Sequence, residues 1–287
     1  MIKHFVINED YNNCRFDRFL KEKFFLTHGL ICKSLRKGFV KLNSKKDSHN
    51  VILKNGDIVS IADVIYSDFD KINKKNDPKL RKNNNFKLQI IHEDDNIIVV
   101  NKQYGISTQG GDRIHFSLID EVKKHCENAR IVHRLDKETT GIIVFAKNKQ
   151  TASEISEKFR KNEIKKEYVT LLDGVPETKN GIISTKSRKK YSNNIGSRVV
   201  FDEDGEYAES YYEILEIIDN QALVFFRPKT GKMHQIRIHA LEINCPIVGD
   251  EKYNNNYKKG QKLKLKSVFI DLGEFGRFSL SKEFNLN

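Results

Sequence analysis

The chain has 287 residues, of which 38% are hydrophobic and 31% are charged, and its formal net charge is +12. This composition is typical of a globular protein with a very polar surface. The apolar runs are far shorter than the roughly 20 residues of a membrane span, and the first ten residues include acids where a signal peptide would be apolar. We therefore expect a cytoplasmic protein with no membrane partner. The positive charge favours a polyanionic partner such as nucleic acid.

The cysteines and histidines do not follow a metal-binding pattern. No two of the four cysteines have the spacing of a zinc knuckle or a redox pair, so we expect idle thiols in a reducing compartment. His234 and His239 are five residues apart, which places them poorly on one helical face. The sequence therefore predicts no metal site. The cysteines are Cys14, Cys32, Cys126 and Cys245.

The pattern from residue 12 to residue 66 predicts a small domain. Apolar residues recur at helical spacing over 15–24 and again over 30–39, and short strands are predicted at 39–43, 51–53 and 57–61. The second helix carries three basic residues on its more exposed side: Lys33, Arg36 and Lys37. Residues 67–86 are nearly devoid of apolar side chains and predict a basic linker.

A second domain is predicted from residue 87 to residue 287. Its elements begin with two apolar strands and end with a strand over 269–272, which we expect to complete a sheet edge. Between them we predict a helix leading to residue 131, a strand over 142–146 and a helix over 151–162. These are followed by a strand over 167–172, a basic ribbon or loop over 179–207 and a hairpin around 219–221.

A cluster of polar residues at 133–140 interrupts two apolar runs in the middle of this domain. A loop between two core segments holds reactive groups rigidly. Arg134 stands two residues before Asp136, and a nearby arginine would lower the pKa of the carboxyl group, which suits a nucleophile. From the residues alone, a surface loop with an internal ion pair explains the cluster equally well.

The sequence of residues 133–141, His-Arg-Leu-Asp-Lys-Glu-Thr-Thr-Gly, closely resembles the central motif of the RluA family of RNA pseudouridine synthases, which usually has Ser where Thr140 stands. Residues 91–102 and 166–171 resemble two further family motifs, as does Thr-Gly-Lys-Met-His-Gln-Ile-Arg-Ile-His at 230–239. Residues 12–66 resemble an S4-type RNA-binding domain. This domain order is most similar to the RluC branch, which acts on large-subunit (23S) ribosomal RNA.

The resemblance implies a catalytic role for three residues. Asp136 would be the nucleophile or base, Tyr168 would stack on the uracil, and Arg237 would face the catalytic carboxylate. Arg134 would hold the RNA where the uridine has been extruded. Lys232 stands where the family usually has Arg, which keeps the charge but not the forked geometry. The other substrate-binding residues would contact phosphates: Lys33, Arg36 and Lys37.

The resemblance also implies an α+β fold, with an S4-like domain followed by a catalytic domain whose mixed, largely antiparallel sheet surrounds a central cleft. It implies a monomer that needs neither metal nor cofactor. Three alternatives stay open: the same chemistry on transfer RNA, a non-catalytic RNA-binding factor in ribosome assembly, and a hydrolytic glycosidase. The glycosidase would need a second carboxylate, for which Glu138 is the neighbour in sequence.

Overall fold

A computed structural model describes residues 2–24, 26, 28–62, 86–110, 116–192 and 196–281. The chain forms two compact units, one comprising Met1–Phe86 with Gly110–Asp120 and the other Lys87–Gln109 with Glu121–Asn287. Residues 67–85 of the predicted linker lie outside the described residues. Within the described ranges, every helix is too short or too polar to cross a membrane.

The first unit contains a three-stranded antiparallel sheet in the order β1-β3-β2. The first strand pairs with the third along its whole length, so the sheet begins before residue 12. Residues 51–53 do not form the predicted strand; they contribute one isolated bridge, between Ile52 and Arg15. The strands are β1 (Ile2–Val6), β2 (Val40–Leu42) and β3 (Ile58–Ala62).

Two helices, α1 (Phe16–Phe24) and α2 (His28–Lys37), share a hydrophobic core with this sheet. Their buried positions recur at the spacing of three and four residues that places side chains on one helical face. The buried hydrophobic residues of the two helices are Phe16, Phe19, Leu20, Phe24, Ile31 and Leu35.

The second unit is built on one large sheet in the order β10-β9-β11-β12-β8-β13-β7-β5-β4, and β6 and β14 pair with β7 and β13. Among the described strands only β7 and β13 pair in parallel, so the predicted α+β class with a mixed, largely antiparallel sheet is confirmed. The strands are β4 (Ile90–Glu93), β5 (Ile97–Lys102), β6 (Arg130–Ile131), β7 (Thr140–Ala146), β8 (Lys165–Leu172), β9 (Asn180–Ser192), β10 (Gly196–Phe201), β11 (Glu206–Ile218), β12 (Gln221–Pro228), β13 (Leu265–Asp271) and β14 (Arg277–Ser279).

The tail strand β13 was expected at a sheet edge, but it lies in the middle of the sheet. It pairs with β8 on one side and with β7 on the other. It therefore joins β7, whose first residue Thr140 ends the polar cluster, to β8, which carries Tyr168. A strand from the far end of the chain thus holds two of the predicted site segments in one sheet.

The α-helices among the described residues of this part of the chain are α3 (Leu118–His125), α4 (Lys149–Arg160) and α5 (Gln235–Glu242). The predicted helix over 151–162 is α4. It begins two residues earlier than predicted because Asn148 caps it by accepting a hydrogen bond from the Thr151 backbone N–H at 2.8 Å. The hairpin around 219–221 and the ribbon over 179–207 are both present.

Candidate active site

Lys102, at the end of β5, organises the backbone of the polar loop. Its side chain is fully buried, and its Nζ donates hydrogen bonds to the carbonyl oxygens of Thr139 at 2.6 Å, Lys137 at 3.0 Å and Gln103 at 3.2 Å. Burial lowers its pKa to about 8. At neutral pH the ammonium therefore keeps three protons, one for each carbonyl. Lys102 therefore has a structural role, because its ammonium holds the backbone of the loop.

Thr108 fixes the other flank of the loop. Its hydroxyl group donates to the carbonyl of Leu135 at 2.8 Å and accepts from the backbone N–H of the same residue at 3.1 Å. Leu135 and Lys137 are the neighbours of Asp136, so the backbone on both sides of the predicted catalytic residue is bonded to fixed groups. The loop is therefore held in one conformation before any substrate arrives.

The first residue of the motif, His133, is a structural residue. Its Nε2 accepts a hydrogen bond from the Val144 backbone N–H at 2.9 Å, and its ring stacks on Phe159 with a centroid distance of 4.6 Å. Burial, and to a lesser extent the charge of Lys166, lowers its pKa to about 3. The imidazole is thus neutral and carries its proton on Nδ1.

Gly141 allows β7 to approach β13. Its φ is +100°, and a Cβ atom at this position would lie 2.0 Å from the carbonyl oxygen of Ser267. The preceding Thr140 donates its hydroxyl to the Leu265 carbonyl at 3.3 Å. Thr140 stands where the family usually has serine, and its hydroxyl group forms a hydrogen bond between β7 and β13.

Arg237, on α5, is held by a buried ion pair with Asp250. Its Nε and Nη2 donate to the two carboxylate oxygens at 2.7 and 2.6 Å, and the side chains are only 4% and 0% exposed. Its remaining nitrogen, Nη1, lies 3.9 Å from Oδ2 of Asp136 and has no hydrogen-bond partner among the described residues. The guanidinium is therefore fixed from behind while Nη1 faces the predicted catalytic carboxylate.

The Asp136 carboxylate retains 25% exposure in a site that is otherwise largely buried. Burial raises its pKa, while the positive charges of Arg237, Arg134 and Lys102 oppose this rise. The sequence expectation of a lowered pKa is therefore wrong in direction, because burial outweighs the arginines. The carboxylate is a stronger base than an exposed aspartate.

Tyr168, on β8, lies with its ring at the same cavity as Asp136. Its hydroxyl forms a hydrogen bond with the Ser267 side chain, and burial raises its pKa to about 12. The phenol thus keeps its proton at neutral pH. The half-buried ring, which lines the cavity, is the feature available to a planar ligand.

A cavity of about 480 Å³ brings Asp136, Tyr168 and Arg237 together, within the range of small-molecule sites. Asp136 is the one carboxylate among its described lining residues, and Glu138 does not line it. The second carboxylate of a hydrolytic glycosidase therefore has no candidate there. The described part of the lining carries four cations: Arg134, Lys166, Lys232 and Arg237.

The predicted substrate-binding residues fall into two groups. Arg134 is exposed and lines the cavity. Lys232 also lines it, with its ammonium paired to Glu206 at 2.9 Å. The remaining three are exposed on α2, in the first unit: Lys33, Arg36 and Lys37.

His234 was not among the predicted site residues, but it lines the cavity with Nε2 3.7 Å from Oδ2 of Asp136.

A cluster in the first unit was not predicted either. The donor atoms of His28, Cys32 and His49 lie within 4.8 Å of one another and could hold a metal ion. His28 and Cys32 are one turn apart on α2, a spacing that was available in the sequence.

Comparison with known proteins identifies the class of this site. Residues 96–242 match the family described as RNA pseudouridylate synthase. The chain is 34% identical to the ribosomal large subunit pseudouridine synthase C of Rickettsia felis, over 95% of this chain and 92% of that protein. It is 32% identical to the Haemophilus influenzae protein of the same name, over 94% and 85%. The human RNA pseudouridylate synthase domain containing 4 has the same fold, with a TM-score of 0.58 at 24% identity over 67% of this chain and 88% of that one.

The chain belongs to the RNA pseudouridylate synthase family, and it is an isomerase that acts on RNA. The resemblance drawn from the residues at 133–141 and 230–239 is confirmed.

Proposed function

We propose that this protein isomerises specific uridines to pseudouridine in large-subunit ribosomal RNA, with Asp136 as the nucleophile or base. The observation that carries the proposal is the convergence of Asp136, Tyr168 and Arg237 on one cavity that holds no other described carboxylate. Two relatives that align with nearly the whole chain, at 34% and 32% identity, are named for the large ribosomal subunit.

The substrate uridine leaves its base stack before it can reach this cavity, as in other enzymes that act on bases. Arg134, exposed beside the cavity, fills the gap or holds the displaced backbone. The uracil ring lies against Tyr168, because a base and an aromatic ring stack with about 1–3 kcal/mol. The cationic lining favours the polyanionic RNA.

The reaction breaks the N1–C1′ bond of the uridine and forms a C5–C1′ bond after the uracil has rotated. The hydrogen on C5 is released to water, and N1 gains a proton, so the base keeps its composition. Asp136 begins this sequence as an ionised carboxylate. Arg237, fixed by Asp250, keeps a positive charge opposite it, since guanidinium stays protonated.

The first unit supplies affinity rather than chemistry. Its small sheet and two helices carry Lys33, Arg36 and Lys37 on an exposed helix face. We infer an S4-like role in which these residues contact phosphates and position the RNA without reading its sequence.

The test is a map of pseudouridines in ribosomal and transfer RNA by carbodiimide labelling and primer extension. The strains compared have the intact protein, no protein, or the Asp136→Asn variant. We expect the same large-subunit positions to be lost in both altered strains. Loss of pseudouridines from transfer RNA instead would show that transfer RNA is the substrate. Positions lost only without the protein would move catalysis away from Asp136, and an unchanged map would favour a non-catalytic RNA-binding factor.

A further inference from the structure

His234 occupies an unusual position beside Asp136. It precedes α5 with a φ of +55°, in the left-handed region that non-glycine residues rarely adopt, and its side chain is 6% exposed. Residues held in such conformations cluster at functional sites, where surrounding contacts fix them. The contacts that fix this imidazole therefore bear on its role beside Asp136.

Tyr253 is the residue that fixes it. The Tyr253 hydroxyl lies 2.7 Å from Nδ1 of His234 and accepts a hydrogen bond from the Val199 backbone N–H at 2.9 Å. The Tyr253 ring is 2% exposed, and the guanidinium groups of Arg198 and Arg237 each lie 5.0 Å from its centroid. The hydroxyl is thus held between a strand backbone and the imidazole.

These contacts determine which nitrogen of His234 carries the proton. Val199 donates to the Tyr253 oxygen, and the only described acceptor left for the hydroxyl proton is Nδ1 of His234. Nδ1 therefore accepts, and the proton of the neutral imidazole is on Nε2. Nε2 is the atom that lies 3.7 Å from Oδ2 of Asp136.

Oδ2 of Asp136 therefore faces two N–H groups at distances just beyond a hydrogen bond: Nε2 of His234 at 3.7 Å and Nη1 of Arg237 at 3.9 Å. Catalytic hydrogen bonds are often long without substrate and shorten in the complex. We propose that Tyr253, acting through His234, is a positioning residue that directs an N–H group at Asp136 and stabilises its ionised form. This inference rests on the proposed function of Asp136.

The other charges that act on Asp136 are those of Arg237, Arg134, Lys102 and Lys252. A Tyr253→Phe variant leaves all four in place and keeps the ring that faces Arg198 and Arg237. It removes only the hydroxyl that orients His234. His234→Asn is the second variant, because asparagine tolerates the left-handed conformation and lacks the imidazole N–H.

The experiment measures the pKa of Asp136 in the full chain by carbon-13 NMR of labelled aspartate, together with single-turnover pseudouridine formation on ribosomal RNA across pH. We expect the pKa of Asp136 to rise by about one unit in Tyr253→Phe and in His234→Asn, because a hydrogen bond to the charged form lowers a carboxyl pKa. The acid limb of the rate profile moves to higher pH by the same amount.

Tyr212→Phe is the matched control. It also removes a buried tyrosine hydroxyl, which is bonded to Thr178, and it does not line the cavity. We expect it to lower the melting temperature without moving the pKa of Asp136. If both test variants leave this pKa unchanged, the positioning role is refuted, even if they melt earlier. Because the NMR titration does not need turnover, an inactive wild-type protein would refute the proposed function and still test the contact.

Discussion

Among single residues, Arg237 and Asp250 form a buried ion pair on which the stability of the fold depends. Each of the two side chains is almost fully enclosed, and Asp250 also accepts from the backbone N–H groups of Lys252 and Tyr253. We expect Asp250→Asn to lower the free energy of unfolding by about 3–5 kcal/mol, because it leaves a buried guanidinium uncompensated.

Urea denaturation of the full chain measures this effect. The control is Glu22→Gln, which breaks an ion pair with Arg18 whose side chains are both about half exposed and which should cost less than about 1 kcal/mol. Equal losses in the two variants would contradict the account of the buried pair.

Lys102 is expected to affect catalysis through the position of the loop. Lys102→Met removes the hydrogen bonds to the loop carbonyls of Lys137 and Thr139, which follow Asp136, together with the bond to the Gln103 carbonyl. We expect pseudouridine formation to slow by about 100-fold, since displacement of a catalytic group by 1 Å has effects of this order. RNA affinity, measured by filter binding, should stay near the wild-type value. Lys123→Met, an exposed lysine on α3, is the control, and a similar slowing there would remove the special role of Lys102.

The sequence could name the residues of the site but not all of their contacts. Asp136, Tyr168 and Arg237 stand in local motifs, and each motif is readable from neighbouring residues. Thr108 and Asp250 act across 27 and 13 residues of chain, and no local pattern records such contacts. The direction of the Asp136 pKa depends on burial, which a sequence does not contain.

At the scale of elements, the parallel junction of β7 and β13 connects the loop to the rest of the site. Gly141→Ala would place a methyl group 2.0 Å from the Ser267 carbonyl oxygen, on a residue whose φ is +100°. We expect the two strands to separate and the free energy of unfolding to fall by more than about 2 kcal/mol. The hydrogen bond between Tyr168 and Ser267 should weaken as well. Thermal unfolding by circular dichroism measures the loss. Gly56→Ala is the control, because Gly56 has a comparable φ but open space around it, so this variant carries the backbone strain without the steric clash. An equal loss of stability in Gly56→Ala would contradict the steric explanation.

The elements that the sequence predicted well are those with a periodic pattern, such as α1, α4 and the hairpin of β11 and β12. Its errors have a common cause. Residues 51–53 are apolar like a strand but find no continuous partner, and β13 was assigned to an edge although it is flanked on both sides. Pairing partners are set by the tertiary fold, so strand order is not contained in the strand's own residues.

At the scale of the whole molecule, three buried histidines make stability depend on pH. Burial lowers the pKa of His133 to about 3, of His234 to about 3 and of His239 to about 4. Their unfolded forms bind protons from pH 6.5 downward, while the folded forms do not. The stability that depends on neutral imidazole is therefore complete above pH 6.5 and is lost as the pH falls towards 3–4.

We expect the free energy of unfolding to fall below pH 6.5 by up to about 1.4 kcal/mol per pH unit for each histidine. Asp136 opposes this trend because its folded pKa is raised, but it is one group against three. Urea titrations between pH 7 and pH 5 measure the slope. A free energy that stays constant over this range would show that these imidazoles are not buried in the neutral form.

The proposed function places the chemistry of the isomerisation on the Asp136 carboxylate. The most direct measurement is the release of tritium from C5 of uridine in large-subunit ribosomal RNA by the purified protein and by its Asp136→Asn variant, with RNA binding measured in parallel. We expect the wild-type protein to release tritium and the variant to release none, while both bind the RNA equally. Release by Asp136→Asn at the wild-type rate would contradict the assignment of catalysis to Asp136.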